Sequence, residues 1–194
     1  MRLLYLVRRV GDGDGVTRHL RQMVERVLDR GGEVSLISSG SGEDPGLRGI
    51  DQRTVTTYFE GNTVYDDTVI LNNEFKRAAR EMGERHGFDL VHAHDWTTVA
   101  AGVVVSKRFD VPLVVSYEST ENERGFGDSN SSMISHLEWE GGFESSHILA
   151  LGENTRDSLV HDLGVPREKI RDIDTSRDCW TDEVIALYES LLSI

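Results

Sequence analysis

The sequence predicts an α/β fold, a doubly wound open parallel sheet with helices on both faces. Three observations carry this. Short apolar runs alternate with longer helical patterns from one end of the chain to the other. The runs are apolar at successive positions rather than at every second one, as buried parallel strands are. The chain has 194 residues, 38% hydrophobic and 28% charged, enough for one domain whose core needs no metal or disulfide staple.

Taken in order, residues 3–7 (Leu-Leu-Tyr-Leu-Val) read as the first strand. Val16, Leu20, Met23, Val24, Val27 and Leu28 then fall on one helical face, and Gly31-Gly32 stops the helix. Residues 34–38 and 55–59 read as the second and third strands, and 66–86 as a helix with a weaker stripe through Val69, Ile70, Ala78 and Met82. Strands at 90–94, 113–117 and 148–151 alternate with helices at 97–109, 130–143, 154–163 and 181–192. In the helix at 130–143 the pair Gly141-Gly142 reads as a terminator and Trp139 as packing. Ligands of such sheets bind outside the carboxyl ends of the strands. That rule singles out residues 8–15, 38–42, 94–96 and 118–128.

Composition excludes several classes. With 21 basic against 34 acidic side chains, the net charge of −13 leaves no basic footprint for nucleic acid or an anionic membrane. Lone Cys179 excludes an intramolecular disulfide framework and suits a reducing compartment. The apolar run near the start is too short for a signal peptide, and no stretch reaches the length of a membrane span. A soluble cytoplasmic protein is the expectation.

Two segments carry candidate chemistry. The first strand runs into Gly11-Asp12-Gly13-Asp14-Gly15 and then a helix, a place where free backbone N–H groups and the helix dipole suit a phosphate. The spacing is G-x-G-x-G rather than the dinucleotide G-x-G-x-x-G, and Ser38-Ser39 stands where a ribose-binding acid would be, which argues against NAD. A turn with Asp14 capping the helix explains the same residues. The fourth strand ends in His92-Ala93-His94-Asp95-Trp96, and alternation puts both histidines on one face. An H-x-H pair can hold zinc, but the second aspartate–histidine pair of a binuclear site is lacking. His92 therefore reads as a core histidine with a satisfied ring, and His94-Asp95-Trp96 as a functional strand tip. Glu118-Ser119-Thr120-Glu121 leaves the fifth strand, where its acids could serve as general acid or base, cap a helix or face water.

These segments together resemble the N-terminal domain of retaining glycosyltransferases of the GT-B fold, of the family-4 and glycogen-synthase type. Asp14-Gly15-Val16-Thr17-Arg18-His19-Leu20 is similar to that family's opening, and Gly31-Gly32-Glu33-Val34 to its helix exit. Phe88 through Trp96 resembles the glycogen-synthase strand and tip most closely. Val111 through Ser116, Ser119 through Glu121, Ile134 through Gly142 and Gly164 through Ile170 complete a likeness that covers most of residues 2–170.

The resemblance implies one Rossmann-like half of a GT-B fold at residues 1–170, with 171–194 as a linker and a C-terminal helix packing back on the same domain. It implies His94 as the active-site histidine, and Gly13, Gly15 and Val16 near the phosphates and sugar of a donor. Asp95, Trp96, Glu118, Ser119, Thr120 and Glu121 would line the acceptor side. A UDP- or ADP-sugar would be the donor substrate and a glycan the acceptor, with no cofactor and no metal. Three departures stand out. Asp14 replaces a glycine, Glu118 replaces a common histidine, and the segment 171–179 leads straight to a returning helix where the family carries its donor-binding domain. The implied function is hexosyl transfer by a half-enzyme that needs a separate donor-binding domain, with homo-oligomerisation as another route to completeness. A non-catalytic glycan-binding or protein-interaction module is the alternative.

Overall fold

A computed structural model describes residues 1–11, 15–40, 47–57, 61–125 and 130–193. Seven parallel strands form one sheet in the order β3-β2-β1-β4-β5-β6-β7. They are β1 (Arg2–Arg9), β2 (Glu33–Ser39), β3 (Asp51–Val55), β4 (Leu90–His94), β5 (Leu113–Tyr117), β6 (His147–Ala150) and β7 (Ile170–Asp172). The order reverses between β1 and β4, so a crevice opens there at the carboxyl ends of the strands. The helices are α1 (Gly15–Asp29), α2 (Val64–His86), α3 (Trp96–Phe109), α4 (Glu121–Arg124), α5 (Ser131–Glu144), α6 (Glu153–His161) and α7 (Trp180–Leu192).

Strand alternation sorts the core into two layers. Leu3, Tyr5 and Val7 of β1, with Leu36, Leu90 and Val114, face α1 and α7. Leu4 and Leu6, with Val91, Ala93, Val115 and Tyr117, face α2, α3, α5 and α6. Central β4 is buried at all five positions, because sheet neighbours flank it and helices cover both its faces. The stripe predicted for the first helix is the buried face of α1: Leu20, Met23, Val24 and Val27 are at most 1% exposed. Arg26 of α1 pairs with Asp182 of α7 on the same side of the sheet.

Several expectations need correction. The third strand is Asp51–Val55, not 55–59: its Ser35↔Asp51 to Ser39↔Val55 register uses polar residues, because an edge strand needs only one buried face. Residues 58 and 59 of the expected run lie outside the described residues. The seventh strand, three residues long, adds an edge the apolar pattern did not announce. The glycine pair in α5 does not end the helix, which runs on to Glu144. Gly141 instead lets α5 approach the sheet. A Cβ there would stand 2.3 Å from the Tyr117 hydroxyl and 2.9 Å from Val99 Cγ2. Trp139 does not pack inside; it is 43% exposed and stacks between His136 and Phe143 on the outer face of α5.

Candidate functional site

The carboxyl ends of β1, β4 and β5 converge on a cavity of ≈ 510 Å³. From β1 come Arg8 and Arg9, from α1 Val16, and from β4 and the start of α3 His94, Asp95, Trp96 and Thr97. The segment after β5 supplies Glu118, Ser119, Glu121 and Arg124. Val16, His94, Asp95, Trp96, Glu118, Ser119 and Glu121 are thus brought together from positions spread over a hundred residues.

Two of the remaining residues of the resemblance are placed elsewhere. Gly15 begins α1 with open space where a side chain would be, and is not part of the cavity wall. Thr120 is fully buried and faces away. Its hydroxyl accepts from the Glu123 N–H at 3.3 Å and bonds the Ser158 hydroxyl at 2.7 Å, so it caps α4 in a Thr120–Glu123 capping box. Gly13, with Asp12 and Asp14, lies outside the described residues.

The strand tip at 94–96 owes its shape to backbone strain. Asp95 has φ 63° and ψ 165°, a region that residues other than glycine seldom enter and that costs about 1–3 kcal/mol. Two bonds hold it there: the Asp95 N–H donates to the Ser116 carbonyl at 2.8 Å, and its carboxylate accepts from the Trp96 N–H at 2.7 Å. The carboxylate that caps α3 therefore also faces the cavity. Burial pushes the Asp95 carboxyl up to about 6, against the pull of Arg124 and of the Trp96 N–H. A carboxyl poised there can take or give a proton near neutral pH. His94 is 8% exposed, and its carbonyl accepts from the Thr98 hydroxyl at 2.8 Å.

Beneath the tip, His92 is a core histidine. Its Nδ1 meets the Tyr188 hydroxyl and its Nε2 the Ser116 hydroxyl. Burial, with His94 adding to it, holds this ring well below its usual value and hence neutral. Tyr188 comes from α7, which covers this side of the site; Trp180 of the same helix stands edge-on to His19, and His19 Nδ1 lies 3.6 Å from Glu118 Oε1.

Sequence reasoning did not identify the group that braces the β5 wall. Glu138 of α5 is completely buried. It accepts two bonds from the Glu121 N–H, at 2.8 and 3.0 Å, and one from Arg124 Nη2 at 2.7 Å. Arg124 in turn donates to the Ser119 carbonyl and hydroxyl at 2.9 and 3.2 Å, and to Glu121 at 3.4 Å. Burial raises the Glu138 carboxyl to about 7, and the Glu121 N–H and Arg124 work against it. The only signal in the sequence was an acid at a position that the α5 stripe, led by Ile134, turns inward. Among the described residues, no group of three or more His, Cys, Asp and Glu is arranged to hold a metal ion, and no helix is long and apolar enough to cross a membrane.

Residues 13–179 match the family described as Glycosyltransferase Family 4. The chain is 23% identical over 191 residues to an uncharacterized glycosyltransferase of Methanocaldococcus jannaschii, covering 92% of this chain and 46% of that protein. It thus spans about half the length of that relative. Sucrose-phosphate synthase from Thermosynechococcus elongatus shares the fold with a TM-score of 0.69 at 14% identity, over 89% of this chain and 47% of the synthase. A second chain of that synthase, designated 27_220_406_426, is covered over 99% of its length by 98% of this chain, with a TM-score of 0.70 at 13% identity. HepE of Anabaena, in complex with UDP and glucose, gives a TM-score of 0.59 at 19% identity over 89% of this chain and 44% of HepE.

Proposed function

Since the chain belongs to glycosyltransferase family 4, we propose that it is the acceptor-side domain of a retaining enzyme that moves a hexosyl unit from a nucleotide-sugar to a hydroxyl acceptor. The observation that carries this is the cavity itself. It gathers His94, Asp95 and Trp96 with Glu118, Ser119 and Glu121 at the switch point of the sheet, where doubly wound folds bind ligands.

In this reading His94 meets the transferred sugar, and Asp95 orients an acceptor hydroxyl or receives its proton. Ser119 and Glu121 border the acceptor. The N-terminus of α1, with Gly15 and Val16, faces the donor phosphates, and a UDP- or ADP-sugar is the donor. HepE, whose structure holds UDP and glucose, supports that choice of donor class. Asp95, pushed up to about 6, is suited to exchanging a proton with a hydroxyl.

The domain is inactive alone in this proposal. A cavity open at the strand ends does not enclose a sugar-nucleotide, and transfer to an acceptor rather than to water requires enclosure. A separate donor-binding domain, or a second copy of the chain, completes it. The chain spans 46% of the Methanocaldococcus jannaschii relative and 47% of one sucrose-phosphate synthase chain, which leaves room in those proteins for such a second domain. A cytoplasmic setting belongs to the same reading, and Cys179 is an exposed free thiol.

The test is an amide-shift titration of the chain with UDP-glucose, ADP-glucose and malto-oligosaccharides, followed by a transfer assay with labelled sugar. Glycan-dependent shifts at His94 and Ser119, with no transfer by the chain alone, are expected. Transfer by the isolated chain would remove the half-enzyme. Silence at these amides with every glycan would favour the non-catalytic protein-interaction module.

A further inference from the structure

Arg124 lies on the cavity wall but is committed elsewhere. Its side chain is 17% exposed, and the bonds to Glu138, Glu121 and Ser119 turn its guanidinium toward the interior. Glu138 is the strongest of these ties: a charge-assisted bond at 2.7 Å to a carboxylate with no exposure at all. Around it the β4 and β5 side of the cavity presents Asp95, Glu118 and Glu121. The other lining cations, Arg8 and Arg9, stand at the end of β1. The cavity is therefore bipolar, cationic toward β1 and carboxylate-rich toward β5.

We propose that Glu138 is a specificity-determining residue: by holding Arg124 inward it makes the acceptor end of the cavity accept uncharged sugars and reject phosphorylated ones. The proposal rests on the acceptor-side reading above and deepens it. An uncharged sugar offers hydroxyls that donate to Asp95 and Glu118, whereas a sugar phosphate brings a dianion against these two carboxylates while the Arg124 guanidinium is already occupied by Glu138 and Glu121. Arg124 is the side chain on this wall that could receive a phosphate in a forked, charge-assisted geometry, and Glu138 withholds it. Glu138 touches no ligand in this scheme; it acts through Arg124.

The experiment uses the full chain, labelled with nitrogen-15, and compares maltotriose, glucose and glucose 6-phosphate at equal ionic strength. The readouts are the Ser119 and Arg124 amides and the Arg124 Nε–H. The native chain is expected to show saturable shifts with maltotriose or glucose and none with glucose 6-phosphate over the same range. Glu138→Gln keeps the size of the side chain and its capacity to accept from the Glu121 N–H, and is expected to strengthen glucose 6-phosphate binding about tenfold, the equivalent of one weak charge-assisted bond. Glu138→Gln combined with Arg124→Gln is expected to lose that gain, which a general loosening of the wall would not do.

Binding of glucose 6-phosphate by the native chain as tight as that of glucose overturns the proposal while leaving the acceptor-side reading intact. A Glu138→Gln chain that folds but gains nothing, or a double variant that keeps the gain, overturns it as well. Silence of the native chain toward all three sugars removes the acceptor-side reading and the proposal with it. The native-chain comparison decides selectivity even if a variant fails to fold.

Discussion

Replacing Tyr188 with phenylalanine probes how firmly α7 is tied to the site. Tyr188 is fully buried and its hydroxyl meets His92 Nδ1, while the Ser116 hydroxyl meets Nε2. His92 is itself only 1% exposed, and burial keeps it neutral, so each ring nitrogen needs one partner and water cannot reach either. Tyr188→Phe conserves the ring and its apolar contacts. What it removes is one hydroxyl, leaving Nδ1 unpaired at a cost of about 1–3 kcal/mol. In a domain of this size each kcal/mol lowers Tm by about 2–4 °C, so a fall of about 2–12 °C is expected in calorimetry. Ser116→Ala should cost a similar amount. The two together should fall short of the sum, because a ring that has lost one anchor is freer to move away from the other. A Tyr188→Phe chain that melts within a degree of the native one would refute the network.

Four further outcomes follow from the same structure. Gly141→Ala should destabilise by about 1–3 kcal/mol, since the added Cβ meets the Tyr117 hydroxyl and Val99, and should lower the denaturation midpoint without changing its slope. Trp139→Gln should change stability by less than about 0.5 kcal/mol, as suits an exposed ring, and urea unfolding will read this. Asp182→Asn breaks pairs with Arg26 and Arg30 at the surface of α1, and should alter stability little and only at low salt. Glu138 has a folded value of about 7, above its unfolded one, so the folded chain gains stability as pH falls from 8 to 5.5 and loses it as pH rises through 7. The native chain should therefore gain about 1–2 kcal/mol over Glu138→Gln across that range in paired chemical denaturations. Reading the difference cancels His92, which lies below its usual value and works in the opposite sense.

Much of the fold was legible because its signals are local. The α1 stripe and the apolar runs of β1, β4 and β5 bury what their spacing says they bury. The edges were not legible. Asp51–Val55 and Ile170–Asp172 are strands by virtue of their hydrogen-bonding neighbours, and half-buried edges need no apolar run. The run 55–59 looked like a strand as a short apolar segment, a weak signal, and its Val55 is the last paired residue of β3. At the site, strand tips could be found from the rule for doubly wound sheets, which is why residues 94–96 and 118–121 were in view. Glu138 and Trp139 show the limit. Adjacent on one helix, the acid goes in and the indole goes out, because Arg124 and the Glu121 N–H, distant in sequence, supply what a buried carboxylate requires. Thr120 looked like a ligand-side hydroxyl, yet its capping partner Glu123 lies just three residues on.

The connection from β7 to α7 has an architectural consequence. All strands run the same way, so β7 ends on the rim that carries the cavity, and Trp180 starts α7 beside His19 near that rim. Residues 173–179 are thus a short bridge between two anchors: Ile173, whose N–H donates to the Ala150 carbonyl at 2.9 Å, and Trp180, whose indole N–H donates to Gln22 at 3.3 Å. Lengthening a bridge between fixed anchors costs only about 0.6 kcal/mol per doubling. A folded unit spliced into it would hang from two mooring points beside α1, and neither the sheet nor its helices would need to be rebuilt to receive it.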